Sequence, residues 1–88
     1  MNDINDLDKL RIKINETDDK IVKLLLERFE IVKDVAVYKK ANGIEILQTN
    51  REAEVLQNIT DKTDNPEYKK YLTEIYETIL KTSKLSQK

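Results

Sequence analysis

Apolar residues recur along the first half of the chain in an unbroken alternation of three- and four-residue steps. Such spacing places its members on one face of a helix, as at the a and d positions of a coiled coil. It predicts one long helix that ends near residues 41–43, because Asn42 and Gly43 suit a left-handed cap. The positions of this heptad stripe are Leu7, Leu10, Ile14, Thr17, Ile21, Leu24, Arg28, Ile31, Val35 and Tyr38.

A helix of this length is too long for a monomeric fold. About 35 helical residues span roughly 50 Å. A compact globule of 88 residues has a diameter of only about 30 Å. Because much of the heptad stripe would otherwise be bare, the pattern predicts an obligate homodimer with its long helices side by side.

Two shorter helices are predicted in the second half. After a connector over residues 44–48, Thr49 and Glu52 have the spacing of a capping box, and the apolar positions that follow indicate a second helix. A polar stretch, 61–65, should end it. Asn65 and Pro66 then suit the cap and first turn of a third helix. Its predicted buried stripe is Tyr68, Leu72, Ile75, Tyr76, Ile79 and Leu80.

The predicted architecture is therefore all-α. It has three helices per chain, one long and two shorter, in an intertwined helical homodimer, with residues 1–88 forming a single domain. No internal repeat or strand-like alternation occurs in the sequence.

Composition excludes several kinds of function. The formal net charge is −1 and no basic block is present, so nucleic acid is not an expected partner. With neither His nor Cys, the usual nucleophile–base pairs and most transition-metal sites are unavailable, so any catalysis must rest on carboxylates, amides, hydroxyls and fixed positive charge. The acidic N-terminus is unlike a signal peptide, and no apolar run reaches the roughly 20 residues of a membrane span. A cytoplasmic protein is expected.

Several polar residues stand where the helical pattern calls for apolar ones. Arg28 interrupts the heptad stripe, Lys39 lies three turns further along nearly the same face, and Ser83 and Gln87 extend the apolar face of the third helix. The chain has thirteen Lys but three Arg, and Arg binds carboxylates bidentately. Taken singly, each residue also has an ordinary structural role, such as a solvated Lys39 or a buried ion pair of Arg28. Together they favour a pocket for an anionic ligand.

Residues along most of the chain form a series of motifs with a defined order and spacing: Leu10, Arg11, Ile14, Asp18 and Ile21; Leu25, Glu27 and Arg28; Val35 and Lys39; Arg51 and Glu52; Ser83 and Gln87. In these motifs the chain resembles the all-helical chorismate mutases. That resemblance implies conversion of chorismate to prephenate in phenylalanine and tyrosine biosynthesis, an intramolecular rearrangement of a dianion that needs no metal or cofactor.

The resemblance also implies a role for each matching site residue. Arg11 and Arg28, with Ser83, would bind the substrate carboxylates, and Arg51 would reinforce the anionic end. Lys39 and Gln87 would donate to the breaking ether oxygen, and Glu52 would accept from the ring hydroxyl. The apolar ring contacts would be Val35, Val55 and Leu80.

Two positions depart from the family pattern. Gln48 replaces a common Asp before the second helix. Gln is tolerable there if the position acts through its backbone N–H, but it caps a helix poorly, and Thr49 could shift the cap by one residue. Lys84 stands where the family tends to have an apolar ring contact, so it either reaches outward to solvent or adds a positive group.

Arg11 and Arg28 cannot meet at one small ligand within one chain. They are 17 residues apart, which on one helix is roughly 25 Å along the axis and about 100° around it. If both bind the same molecule, Arg11 comes from the other subunit. Two shared active sites per dimer would result.

Two other functions fit the same sequence. The first is an isochorismate pyruvate lyase of the same fold, which would share the arginines and Lys39; the Arg51–Glu52 pair favours the mutase. The second is a non-catalytic helical dimer or ligand-sensing module, for which the heptad stripe alone would suffice.

Overall fold

The computed structural model describes residues 5–46 and 48–87 as a chain of three helices. These are α1 (Asp6–Ala41), α2 (Thr49–Thr60) and α3 (Pro66–Ser86). Within those ranges no strand is present, which confirms the all-α, three-helix prediction. The chain divides into two compact units, Met1–Ile31 and Val32–Lys88, and α1 contributes to both.

In the first unit, α1 begins with a side-chain cap. The backbone N–H of Asp8 donates to Asn5 Oδ1 at 2.8 Å, and the acidic side chains of the first turn suit the positive end of the helix dipole. Further along, the hydroxyl of Thr17 donates to the Lys13 carbonyl oxygen at 3.0 Å. That bond satisfies the hydroxyl of Thr17, which is a polar residue within the apolar heptad stripe.

In the second unit, α1 ends where the sequence predicts. Gly43 has a φ of +66°, the left-handed conformation that glycine adopts without steric cost. The N–H of Ile44 donates to the Lys39 carbonyl oxygen at 2.8 Å, and that of Asn42 to Tyr38 at 3.1 Å. These bonds satisfy carbonyls of the last turn and direct the connector back past Lys39.

Helix α2 begins at Thr49, directly after the predicted connector over residues 44–48, but its cap is not the predicted one. The N-cap is Gln48, with no side-chain hydrogen bond to the helix end, and Thr49 already lies inside the helix. The capping box between Thr49 and Glu52 is therefore not formed. The carboxylate of Glu52 instead binds Lys84 of α3, so a tertiary contact replaces the local one.

The start of α3 agrees with the prediction. Asn65 Oδ1 accepts from the N–H groups of Glu67 at 2.9 Å and Tyr68 at 3.2 Å, and Pro66 occupies the first turn. One turn further, the Tyr71 hydroxyl donates to Glu67 Oε1 at 2.8 Å. This hydrogen bond and partial desolvation raise the pKa of Tyr71.

The helices α2 and α3 pack against each other, but they form no closed core. Among the described residues no hydrophobic side chain is buried, and Ser83 is the buried residue. Tyr68 and Ile75 of the predicted buried stripe are 56% and 55% exposed, whereas its other four members are half-buried, so the single chain covers the stripe only in part. Two helices cover only one side of each other's apolar face, which leaves the rest of the stripe open.

Residues 5–46 and 48–87 contain no helix long and apolar enough to cross a membrane. Within the same ranges, His, Cys, Asp and Glu form no group that could hold a metal ion.

Candidate functional site

Lys39 joins three segments of the second unit. It lies in the last turn of α1 and is half-buried. Its Nζ donates to the Ile46 carbonyl oxygen at 3.0 Å and to Gln87 Oε1 at 3.1 Å. The end of α1, the connector and the end of α3 thus meet at one ammonium group.

The contact with Lys39 fixes the orientation of the Gln87 amide. An ammonium has only donors, so it selects the oxygen of the amide and turns the NH₂ group away. Gln87 Nε2 donates to the Ser83 carbonyl oxygen at 3.3 Å. Because an NH₂ group carries two hydrogens, one N–H of Gln87 is left to point at a ligand.

Ser83 is the buried polar residue of this region, with 7% exposure. Its hydroxyl donates to the Ile79 carbonyl oxygen at 2.9 Å, and its own carbonyl accepts from Ser86 Oγ at 2.8 Å. The end of α3 is therefore held by side-chain bonds as well as by the helix ladder. These bonds keep Gln87, the C-cap residue of α3, in place.

Glu52 and Lys84 form an ion pair between α2 and α3. Lys84 Nζ lies 3.2 Å from Glu52 Oε2, and the two side chains are 35% and 27% exposed. Lys84 shares a turn of α3 with Ser83 and Gln87. Lys84 thus pairs with a carboxylate of α2, and whether it adds a positive group to a substrate site stays a prediction. The family resemblance gives Lys84 no role. Its position one turn before Gln87 is the feature of the sequence that could have indicated one.

Arg51 and Gln48 have other contacts. Arg51 Nη1 pairs with Glu54 Oε1 one turn along α2, and both side chains are well exposed. Gln48 is exposed at the start of α2, and its Nε2 donates to the Glu45 carbonyl oxygen at 3.2 Å. The predicted substrate contacts of Arg51 and Gln48 stay predictions.

A cavity of about 350 Å³ lies beside the Lys39–Gln87 pair. Its wall combines these two polar side chains and Lys40 with apolar ones, among them Ala36, Ile44 and Ile46. Small-molecule sites have this composition, with a few polar groups that fix orientation in an apolar surround. The volume is at the lower end of the range of such sites.

The predicted apolar contacts and arginines lie on several elements. Val55 on α2 and Leu80 on α3 are half-buried, and Val35 on α1 is 40% exposed. Arg11 is exposed and Arg28 is half-buried, both on the part of α1 that belongs to the first unit. That these five residues take part in one site stays a prediction.

The two polar contacts of the second unit, Lys39–Gln87 and Lys84–Glu52, favour one class of ligand. Lys39 and Lys84 carry positive charge, Glu52 carries negative charge, and Gln87 supplies a neutral donor whose direction is set by Lys39. The excess of positive charge favours an anionic ligand, and fixed donors suit charge that develops during a reaction. The second unit is thus suited to an anionic small molecule.

Comparison with known proteins identifies the family. Residues 10–88 match the family described as "Chorismate mutase type II". The chain belongs to this family.

Two curated relatives carry the same activity in their names. The bifunctional chorismate mutase/prephenate dehydratase of Buchnera aphidicola is 35% identical over 86 residues, which cover 96% of this chain and 22% of the relative. The chorismate mutase of Methanocaldococcus jannaschii is 43% identical over 56 residues, which cover 64% of this chain and 57% of the relative. The chain thus spans about a fifth of the first relative and just over half of the second.

Proposed function

We propose that this protein catalyses the rearrangement of chorismate to prephenate. In this reaction the ether C–O bond breaks while a C–C bond forms in the same cyclic electron shift. No proton is transferred and no other reactant is needed. The protein has to hold the compact conformer and stabilise the negative charge that grows on the ether oxygen.

The observation that carries the proposal is the contact between Lys39 and Gln87. Two of the three ammonium hydrogens of Lys39 are directed at Ile46 and Gln87, which leaves the third for a ligand. One N–H of the Gln87 amide is likewise available to a ligand. Two donors on different elements can therefore reach one oxygen atom, and their mutual hydrogen bond fixes them before the substrate arrives.

The other predicted residues complete the proposed site. Arg28 and an Arg11 from the second subunit bind the two carboxylates, and Arg51 adds positive charge. Ser83 assists by turning its hydroxyl from the Ile79 carbonyl to the substrate. Glu52 accepts the hydrogen of the ring hydroxyl, and the backbone N–H of Gln48 contacts the same end. The ring packs against Val35, Val55 and Leu80.

The proposed assembly is an intertwined homodimer with two shared sites. The exposed heptad stripe supports it: Leu10, Leu24 and Ile31 are 54%, 61% and 61% exposed in the single chain. Burial of apolar area is the main source of stability in small folds. A second copy of α1 presents a stripe with the same spacing, so side-by-side packing buries both.

The test of the function is turnover by purified protein. Loss of chorismate is followed and the product identified, with isochorismate offered as a second substrate. Formation of prephenate supports the proposal. Salicylate and pyruvate from isochorismate without prephenate would assign the chain to the lyase reaction, and no turnover of either compound would leave a helical binding module.

The dimer is tested by Leu24→Asp. A carboxylate in the apolar seam should destabilise the assembly by roughly 3–5 kcal/mol, because it becomes a buried charge without a partner. Analytical ultracentrifugation should show dissociated chains, and circular dichroism a lower melting temperature. The control is Lys23→Asp, which places the same residue next to Leu24 but outside the heptad stripe. Equal sedimentation of both variants as dimers would contradict the proposed seam.

The amide of Gln87 predicts activity without a requirement for acid. An amide donates at every pH, whereas a carboxylic acid donates only while protonated. Wild-type kcat should therefore show no sharp loss between about pH 5 and pH 8. Gln87→Glu should lose on the order of 10²-fold in kcat at the alkaline end and recover as the pH falls. If kcat of Gln87→Glu did not change with pH, Gln87 would not be a donor to the ether oxygen.

A further inference from the structure

The ion pair between Lys84 and Glu52 gives Lys84 a part in the reaction that the matched family motifs do not assign. Building on the proposed function, we propose that Lys84 is a positioning residue that holds the carboxylate of Glu52 toward the substrate and offsets its charge. The pair joins α2 to the last turns of α3 at 3.2 Å.

Orientation is the first contribution. A Glu side chain has three rotatable bonds, and an unpaired carboxylate near a helix start samples several rotamers. The bond from Lys84 to Oε2 restricts Glu52 to one of them. Both side chains are more than three-fifths buried, so solvent screens this pair less than an exposed one.

Charge is the second contribution. The proposed substrate is a dianion, and an uncompensated Glu52 would repel it. Arg51, the cation next to Glu52 in sequence, is engaged by Glu54 on the exposed surface of α2. Lys84 is the cation that contacts Glu52, and it neutralises the carboxylate without removing its capacity to accept a hydrogen bond.

Position along α3 links this pair to the reacting groups. Lys84 is one turn before Gln87, whose oxygen binds Lys39 at 3.1 Å. The last turns of α3 thus hold Glu52 of α2 through Lys84 and Lys39 of α1 through Gln87. The end of α3 therefore positions both a proposed hydrogen-bond donor, Lys39, and the proposed acceptor, Glu52.

A double-mutant cycle tests the proposal. Lys84→Met keeps the length and apolar stem of the side chain and removes the charge; Lys84→Arg keeps the charge. In the wild-type background, Lys84→Met should lower kcat/KM by about 10-fold, within the range of coupling between contacting residues. Lys84→Arg should restore most of that loss. In the Glu52→Gln background, Lys84→Met should change kcat/KM by less than about 2-fold, because no carboxylate is left to position or neutralise.

Two controls separate positioning from folding. Lys81→Met removes an exposed lysine one turn earlier on α3 and should leave kcat/KM and the melting temperature unchanged. The melting temperature of Lys84→Met should stay within a few degrees of wild type.

The possible outcomes are distinct. Equal losses from Lys84→Met in both backgrounds, or no loss in either, would overturn the role of Lys84 while the mutase activity stands. A wild-type protein that forms no prephenate would overturn the proposed function and the inference with it.

Discussion

Lys39→Met should lower kcat by about 10²–10³-fold, or roughly 3–4 kcal/mol of transition-state stabilisation. Methionine matches the length of the lysine stem but cannot donate to the ether oxygen. It also removes the hydrogen bond that orients the Gln87 amide. Both proposed donors are therefore affected by one substitution, which is why a large effect is expected.

The measurement is kcat and KM for chorismate, with circular dichroism as a check on folding. Lys39 is only half-buried, so its loss should leave helicity and dimerisation nearly unchanged. Lys23→Met, an exposed lysine of the same helix, is the control and should retain full turnover. A kcat of Lys39→Met within about twofold of wild type would mean that Lys39 does not donate to the ether oxygen.

Arg28→Lys should cost on the order of 3 kcal/mol in kcat/KM, which is a loss of roughly 150-fold. The substitution keeps the charge and changes the geometry, since an ammonium cannot replace the planar fork that binds a carboxylate bidentately. A purely structural helical dimer would tolerate the change with little loss of stability. Steady-state kinetics and a thermal melt, measured together, distinguish these cases. Turnover equal to wild type would refute the assignment of Arg28.

Complementation tests the sharing of sites between subunits. Neither Arg11→Ala nor Arg28→Ala should be active alone. In a heterodimer of the two, one site receives both intact arginines and the other receives neither. Because random exchange makes half of the dimers mixed, the reassembled mixture should recover about a quarter of the wild-type activity. No recovery would contradict the shared sites, because within one chain the two arginines lie too far apart to bind one ligand.

Local patterns were sufficient to predict the helices. The heptad spacing, the Asn42–Gly43 pair and the Asn65–Pro66 pair act through bonds between near neighbours in the chain, and the observed ends of α1 and start of α3 agree with them. The predicted capping box at the start of α2 is not formed, because Gln48 is the N-cap and the carboxylate of Glu52 has another partner. Its pairing with Lys84 lies beyond the reach of a local motif.

The sequence by itself determined the helical class, the boundaries set by Gly and Pro, and the family, since these depend on short-range spacing and residue order. Only the tertiary structure decided that Lys39 meets Gln87, 48 residues away, and that Lys84 binds Glu52. Such contacts depend on how the end of α3 lies against α2 and the connector. Many arrangements of three helices satisfy the same pattern of apolar residues, and long-range packing of side chains selects one of them.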